Sequence, residues 1–320
     1  MCAGSSVFIK KVSLLLLALL AVAAGYGLYY LHADYTRVFL RNRAGLAGVR
    51  EESLGSDPVF DNYNVFLLDS KGGELACMVR SPRNTKDRLP AILVIDGYDS
   101  GGKVVSLFES TKAVLVSFDW PDDRGYKYQG TNIGPFLAGI RRSLIRMVCA
   151  IPLVVDYLET RPDVDPEKII MLGASLGVPA AVNGAAIDTR FRAAILLYGG
   201  GDISRMMENS ARSTIPEAWK RTLVSWWVEA ALAPIEPLKY IGRISPRPVL
   251  MINGKDDASI PGDCVMSLYR EAKEPKDLIW LETGHVQPEL AELILRLEGI
   301  ITLWLGERGI WENTRPQSPQ

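Results

Sequence analysis

Residues 168–177, KIIMLGASLG, carry an apolar, β-forming stretch straight into Gly173-Ala174-Ser175-Leu176-Gly177, and small and apolar residues at helical spacing follow. Few patterns constrain a chain more. A strand must end and a helix must begin within a few residues, and the two backbones can close up only where their neighbours lack side chains. Such a strand-turn-helix unit belongs to a parallel sheet covered by helices. The serine at its centre sits on a strained turn that lifts its hydroxyl above the sheet. The N-terminus of the following helix offers free N–H groups beside it. Ser175 is therefore the candidate nucleophile.

A serine hydroxyl attacks poorly unless a base removes its proton. The chain has two histidines. His32 follows an apolar N-terminal run, far in sequence from the strands, whereas His285 follows the strand-like stretch in LETGH. His285 is thus the candidate base. An acid must fix its tautomer and stabilise the imidazolium. Asn253-Gly254-Lys255-Asp256-Asp257 closes another strand-like stretch, and its two adjacent aspartates compete for that role. The chain order of serine, aspartate and histidine is the one this kind of turn accompanies.

The oxyanion of the tetrahedral intermediate needs two N–H donors. One is expected from the residue after the nucleophile, Leu176. The other is expected from the loop after RLPAILVIDG, where Tyr98 N–H is the candidate. The four cysteines show no metal-ligand spacing.

The remaining pattern is strand and helix in alternation. YNVFLLDS and ELACMVRSP flank Lys71-Gly72-Gly73 as a hairpin. RLPAILVIDG, AVLVSFDW, AAILLYGG, PVLMING and LIWLETG read as buried strands, and residues 138–161, 177–186, 263–272 and 288–305 as helices. Residues 202–245 interrupt the alternation with a long helical stretch holding Trp219, Trp226 and Trp227, which suits a lid or pocket wall. The substrate pocket is expected from that insertion, the Tyr98 loop and residues 120–136.

Residues 12–31 form a twenty-residue run without a charge. At 1.5 Å per residue such a helix reaches across a hydrocarbon core of about 30 Å. Lys10 and Lys11 precede it, and Tyr26, Tyr29 and Tyr30 suit its interfacial end. Two readings fit, a transmembrane anchor and a signal peptide cleaved after the small residues Ala21 and Ala23. The basic start and Leu-rich run place the following domain outside the cytoplasm. Arg37, Arg41, Arg43 and Arg50 argue for the opposite orientation under the positive-inside rule. Residues 1–31 are thus anchor or signal, 32–60 a linker, 61–306 the globular domain and 307–320 a tail. With 36 basic against 37 acidic residues, no excess of positive charge points to nucleic acid. Oligomeric state leaves no signature.

Three stretches resemble the α/β-hydrolase superfamily, in its dienelactone hydrolase, acetyl xylan esterase and prolyl oligopeptidase-like branch. RPDVDPEKIIMLGASLG resembles the segment leading into that branch's nucleophile. PLKYIGRISPRPVLMINGKDDASIP resembles its acid segment, and LETGH its histidine loop. The resemblance spans about residues 60–306. It implies an α/β-hydrolase fold, with a mostly parallel sheet between helices, and it favours Asp257 over Asp256 as the acid. Many relatives carry His-Gly where this chain has Asp96-Gly97. The activity implied is that of a serine hydrolase cleaving an ester-type acyl bond of a small-molecule substrate through an acyl-enzyme, and the resemblance implies no metal and no cofactor. Thioesterase, acyltransferase and aminopeptidase-like chemistry use the same triad, and a membrane-tethered binding protein on the same scaffold is the non-enzymatic alternative.

Overall fold

A computed structural model describes residues 3–97, 101–108, 111–121, 133–287 and 290–311. Nine strands form one sheet in the order β1-β2-β3-β5-β4-β6-β7-β8-β9. The outer strands β1 (Leu46–Ser56), β2 (Phe60–Asp69) and β3 (Glu74–Pro82) pair antiparallel, and β3 meets β5 (Val114–Phe118) antiparallel as well. From β5 onward the sheet is parallel, through β4 (Leu89–Ile95), β6 (Val164–Ala174), β7 (Phe191–Leu197), β8 (Val249–Gly254) and β9 (Lys276–Leu281). The switch follows from composition. In β5 and β8 every residue is buried, as a strand covered on both faces requires, while β1 is exposed along nearly its whole length.

Two apolar layers cover the sheet. On one face α3 (Ile133–Thr160), α4 (Val178–Ile187) and α7 (Gly262–Glu271) contribute Leu144, Met147, Ile151, Val178, Ala181, Val265 and Leu268 to a single cluster. On the other face α8 (Ala291–Glu307) contributes Leu293, Leu297, Ile301 and Trp304, joined by Val104 and Val105 of the short 3-10 segment Gly101–Leu107.

Two boundaries differ from the sequence reading. The stretch taken as a linker holds a short helix, α2 (Thr36–Asn42), and the edge strand β1, so the sheet begins at Leu46. LAGVREESLGS lacks the apolar alternation that marks a half-buried strand, because its side chains face solvent on both sides. At the other end, α8 runs to Glu307, and Ile310 and Trp311 are buried against the core. The insertion after β7 is helical, with α5 (Ile203–Ser210) and α6 (Ala218–Leu232) its longest elements.

Ala3–His32 forms one helix, α1, whose C-terminal part packs against α6 and the turn at Ala233–Ile235. Among the described residues no helix is long and apolar enough to cross a membrane.

Candidate active site

The turn after β6 is shaped by what its glycines exclude. A Cβ on Gly177 would lie 2.2 Å from the carbonyl oxygen of Ile95 at the end of β4. One on Gly173 would lie 2.4 Å from Ala181 Cβ on α4. Both contacts are far inside van der Waals range, so only glycine lets strand, turn and helix close together. Between them Ser175 has φ of +50°, a left-handed conformation that non-glycine residues adopt only at a cost of about 1–2 kcal/mol. Ser175–Gly177 forms a single 3-10 turn and α4 begins at the next residue. Leu176 is half-buried in this turn, where the N–H groups of a helix start lack intrahelical acceptors.

His285 reaches Ser175 from the loop after β9. Its Nε2 lies 2.8 Å from Ser175 Oγ, and its Nδ1 lies 2.7 Å from Asp257 Oδ2. Asp257 itself is held rigidly. Its other oxygen, Oδ1, accepts the backbone N–H of Ser259 at 2.8 Å and of Ile260 at 3.0 Å. Its side chain is only 1% exposed, and that of His285 is 22% exposed. Asp256, by contrast, is exposed; what it contributes is a backbone N–H that bonds Thr283 O at 3.1 Å. The structure thus joins Ser175, His285 and Asp257 in one hydrogen-bonded chain and leaves Asp256 and the exposed His32 outside it.

A second layer, not anticipated from sequence, orients the histidine. Tyr198, fully buried at the end of β7 with φ of +49°, presents its ring edge-on to the His285 ring, with centroids 6.0 Å apart. Its hydroxyl lies 2.7 Å from Thr283 Oγ1, two residues before His285. Burial pushes the Tyr198 phenol up, more than the Thr283 hydrogen bond lowers it, so the hydroxyl stays protonated at neutral pH. Gly254 lets the two loops meet, since a Cβ there would lie 2.4 Å from Thr283 O. The only sequence trace of this layer is that Tyr198 ends an apolar run just before Gly199-Gly200-Gly201.

Tyr98, the expected second oxyanion donor, lies outside the described residues, as does most of 120–136. Asp96 and Gly97 do border the site. There a cavity of about 230 Å³ opens at Ser175 and runs beneath it. Among the described residues its apolar walls come from the ends of β4, β6 and β7, the 101–108 segment, Val286 and α8. The 202–245 insertion contributes none of those lining residues. A larger space of about 980 Å³ lies along α3 among Arg141, Arg142, Arg146 and Trp227, and none of the three triad residues lines it. The described residues bring no three His, Cys, Asp or Glu side chains together as a metal would need.

The sheet order, the strained serine turn and the order of serine, aspartate and histidine along the chain together describe one known fold. Solved structures agree. The chain resembles acetyl xylan esterase 1 from Thermoanaerobacterium sp. JW/SL YS485 with a TM-score of 0.60 at 17% identity, covering 82% of this chain and 91% of that one. An acetyl xylan esterase from Paenibacillus sp. R4 gives a TM-score of 0.62 at 17% identity, covering 86% and 93%. The chain has the α/β-hydrolase fold. Residues 151–283 match the prolyl oligopeptidase family, a stretch that holds Ser175 and Asp257. The uncharacterized protein YfhR of Escherichia coli O157:H7 is 31% identical over 135 residues, 41% of this chain and 42% of that protein. The chain thus aligns with about two-fifths of the length of the curated relatives it matches. On this fold the chain carries an antiparallel edge strand, β1, and a helical insertion between β7 and β8.

Proposed function

We propose that this protein is a serine hydrolase that cleaves carboxylic esters through an acyl-enzyme on Ser175. The observation that carries the reading is the continuous chain from Ser175 Oγ to His285 Nε2 at 2.8 Å and from His285 Nδ1 to Asp257 Oδ2 at 2.7 Å. His285 Nε2 takes the serine proton as Oγ bonds to the acyl carbon. The Nδ1–H donates to Asp257, which fixes the tautomer and stabilises the imidazolium. Leu176 N–H, with Tyr98 N–H as its partner, steadies the developing oxyanion. As the ester C–O bond breaks, His285 returns the proton to the departing alkoxide. Water then enters on the same path: His285 takes its proton, hydroxide bonds to the acyl carbon, the bond to Oγ breaks as His285 returns the proton to Oγ, and a carboxylic acid leaves.

Structural neighbours that are esterases favour an ester over other acyl bonds. A peptide substrate is the second reading, favoured by the prolyl oligopeptidase match over residues 151–283. Parallel assays on p-nitrophenyl esters and aminoacyl p-nitroanilides separate the two. The ester reading expects turnover of the first set, abolished in both Ser175→Ala and His285→Ala with circular dichroism unchanged. Turnover confined to the anilides overturns it.

We also propose that α1 attaches the domain to a membrane, with the hydrolase domain on the extracytoplasmic side. The uncharged run at 12–31 supports this reading, as do the exposed Leu17, Leu20, Val22 and Leu28 of α1. Beside α1, helix α6 leaves Trp219, Leu223, Trp226 and Trp227 exposed on one face, at the helical spacing i, i+4, i+7, i+8. Tryptophan suits the bilayer interface. Retention in the pellet after a carbonate wash is the expected result, and release into the supernatant contradicts a spanning anchor.

A further inference from the structure

We propose that the cavity beneath Ser175 is an acyl pocket for an unbranched, uncharged chain of about six to eight carbons, so that medium-chain esters, and not acetyl esters, are the preferred substrates. The inference rests on the reading of Ser175 as nucleophile and adds the identity of the acyl group.

Four features of the cavity carry it. First, its lining is almost wholly aliphatic or aromatic. Val104, Leu107 and Phe108 of the 101–108 segment, Ile294 and Leu297 of α8, and Leu197 on the sheet all line it. Second, part of its wall is core. Val104, Phe108 and Leu297 belong to the buried cluster between α8 and the sheet, so a chain lying against them leaves water for apolar side chains. In the acyl-enzyme the alcohol must escape and water must enter, whereas the acyl group stays bonded to Oγ. An apolar cavity bordering the nucleophile therefore suits the acyl group. Third, its size sets a length. At about 30 Å³ per water-sized group, comparable to a methylene, 230 Å³ holds roughly seven or eight such groups. That lies below the range of about 300–1,000 Å³ for drug-sized ligands. Fourth, the lining offers no counter-charge. Asp96 is the one charged side chain among the described lining residues and is itself acidic, so an acyl group ending in a carboxylate would lose water with no cation to pair with.

An acetyl group would leave most of this apolar space unfilled. Each added methylene that finds the wall gains up to about fourfold in kcat/KM, the equivalent of burying one CH₂. The gain stops when the pocket is full.

The test is the kcat/KM series of the full-length protein on p-nitrophenyl esters from acetate to dodecanoate, with Ser175 labelling by a small diethyl organophosphate run in parallel. The expected profile rises at least tenfold from acetate to hexanoate and falls beyond octanoate. Ile294→Trp fills the middle of the pocket from a half-buried position on α8. It should move the optimum to butanoate or shorter, with Ser175 still labelled. If that variant does not fold, Val104→Phe in the 101–108 segment makes the same prediction. A flat or acetate-optimal profile with Ser175 still labelled overturns the pocket assignment and leaves the nucleophile standing. So does an Ile294→Trp profile that drops uniformly without changing shape. Absence of both labelling and turnover overturns the serine hydrolase reading itself.

Discussion

Exchanging Asp257 for asparagine changes one atom of the proposed triad and little else. Oδ1 of Asp257 accepts two backbone N–H groups, from Ser259 and Ile260, at 2.8 and 3.0 Å. An asparagine therefore keeps its carbonyl oxygen on that side and turns its NH₂ toward His285 Nδ1, where Oδ2 now lies at 2.7 Å. Two N–H groups cannot share that contact. The imidazole must carry its proton on Nε2, and it can no longer accept the proton of Ser175. In a Ser-His-Asp protease the same exchange lowers kcat about 10⁴-fold. At 1.36 kcal/mol per decade, a loss of 10³ to 10⁴ corresponds to about 4–5.5 kcal/mol of transition-state stabilisation. Asp256→Asn is the matched control. That side chain is exposed, and the bond from Asp256 to Thr283 uses the backbone, which the exchange preserves. Its cost should stay near 0.5 kcal/mol, about twofold. The assay is kcat/KM on the best p-nitrophenyl ester, with circular dichroism to confirm the fold. If Asp257→Asn keeps more than a tenth of wild-type kcat/KM, or if Asp256→Asn is the more damaging change, the hydrogen-bond argument is wrong.

Two further predictions concern stability. Gly177→Ala places a methyl 2.2 Å from Ile95 O and 2.9 Å from Asp96 N, both backbone atoms that cannot swing aside, and should cost about 3 kcal/mol in urea unfolding; a cost below 1 kcal/mol would show that the close approach is not what requires glycine. Asp163 is half-buried, and that burial pushes its carboxyl up, but hydrogen bonds and charge from Arg161 and a bond from Ser81 outweigh it and hold the carboxyl below the ordinary carboxylate value. A depressed carboxyl contributes stability that is present above its unfolded pKa of 3.8 and lost as pH falls through the folded value. Asp163→Asn should lower stability at pH 7 by about 1–3 kcal/mol and flatten the acid limb below pH 4. An acid limb of unchanged slope in the variant would contradict that linkage.

Much of the parallel half of the sheet could be read from sequence because burial on both faces leaves continuous apolar runs, as in LPAILVI and PVLMING. The serine turn was legible for a steric reason, since its two glycines answer contacts that any Cβ would violate. The histidine could be picked because there were only two. Elsewhere the pattern carried no signal. β1 is solvated on both faces and so reads like a linker. The pairing of Tyr198 with Thr283 joins residues 85 positions apart, brought together by β7 and the loop after β9. The walls of the cavity come from a 3-10 segment and from α8, where Ile294 and Leu297 look like ordinary helix-core residues. Only the packing shows that the core stops short of Ser175 and leaves a space.

Intact-mass analysis of the folded protein after treatment with a fluorophosphonate tests the central claim most directly. One adduct is predicted, located on Ser175 by peptide mapping, absent in Ser175→Ala and formed at least a hundredfold more slowly in His285→Ala. An unmodified Ser175 in folded protein, or an adduct that persists in Ser175→Ala, would contradict the account.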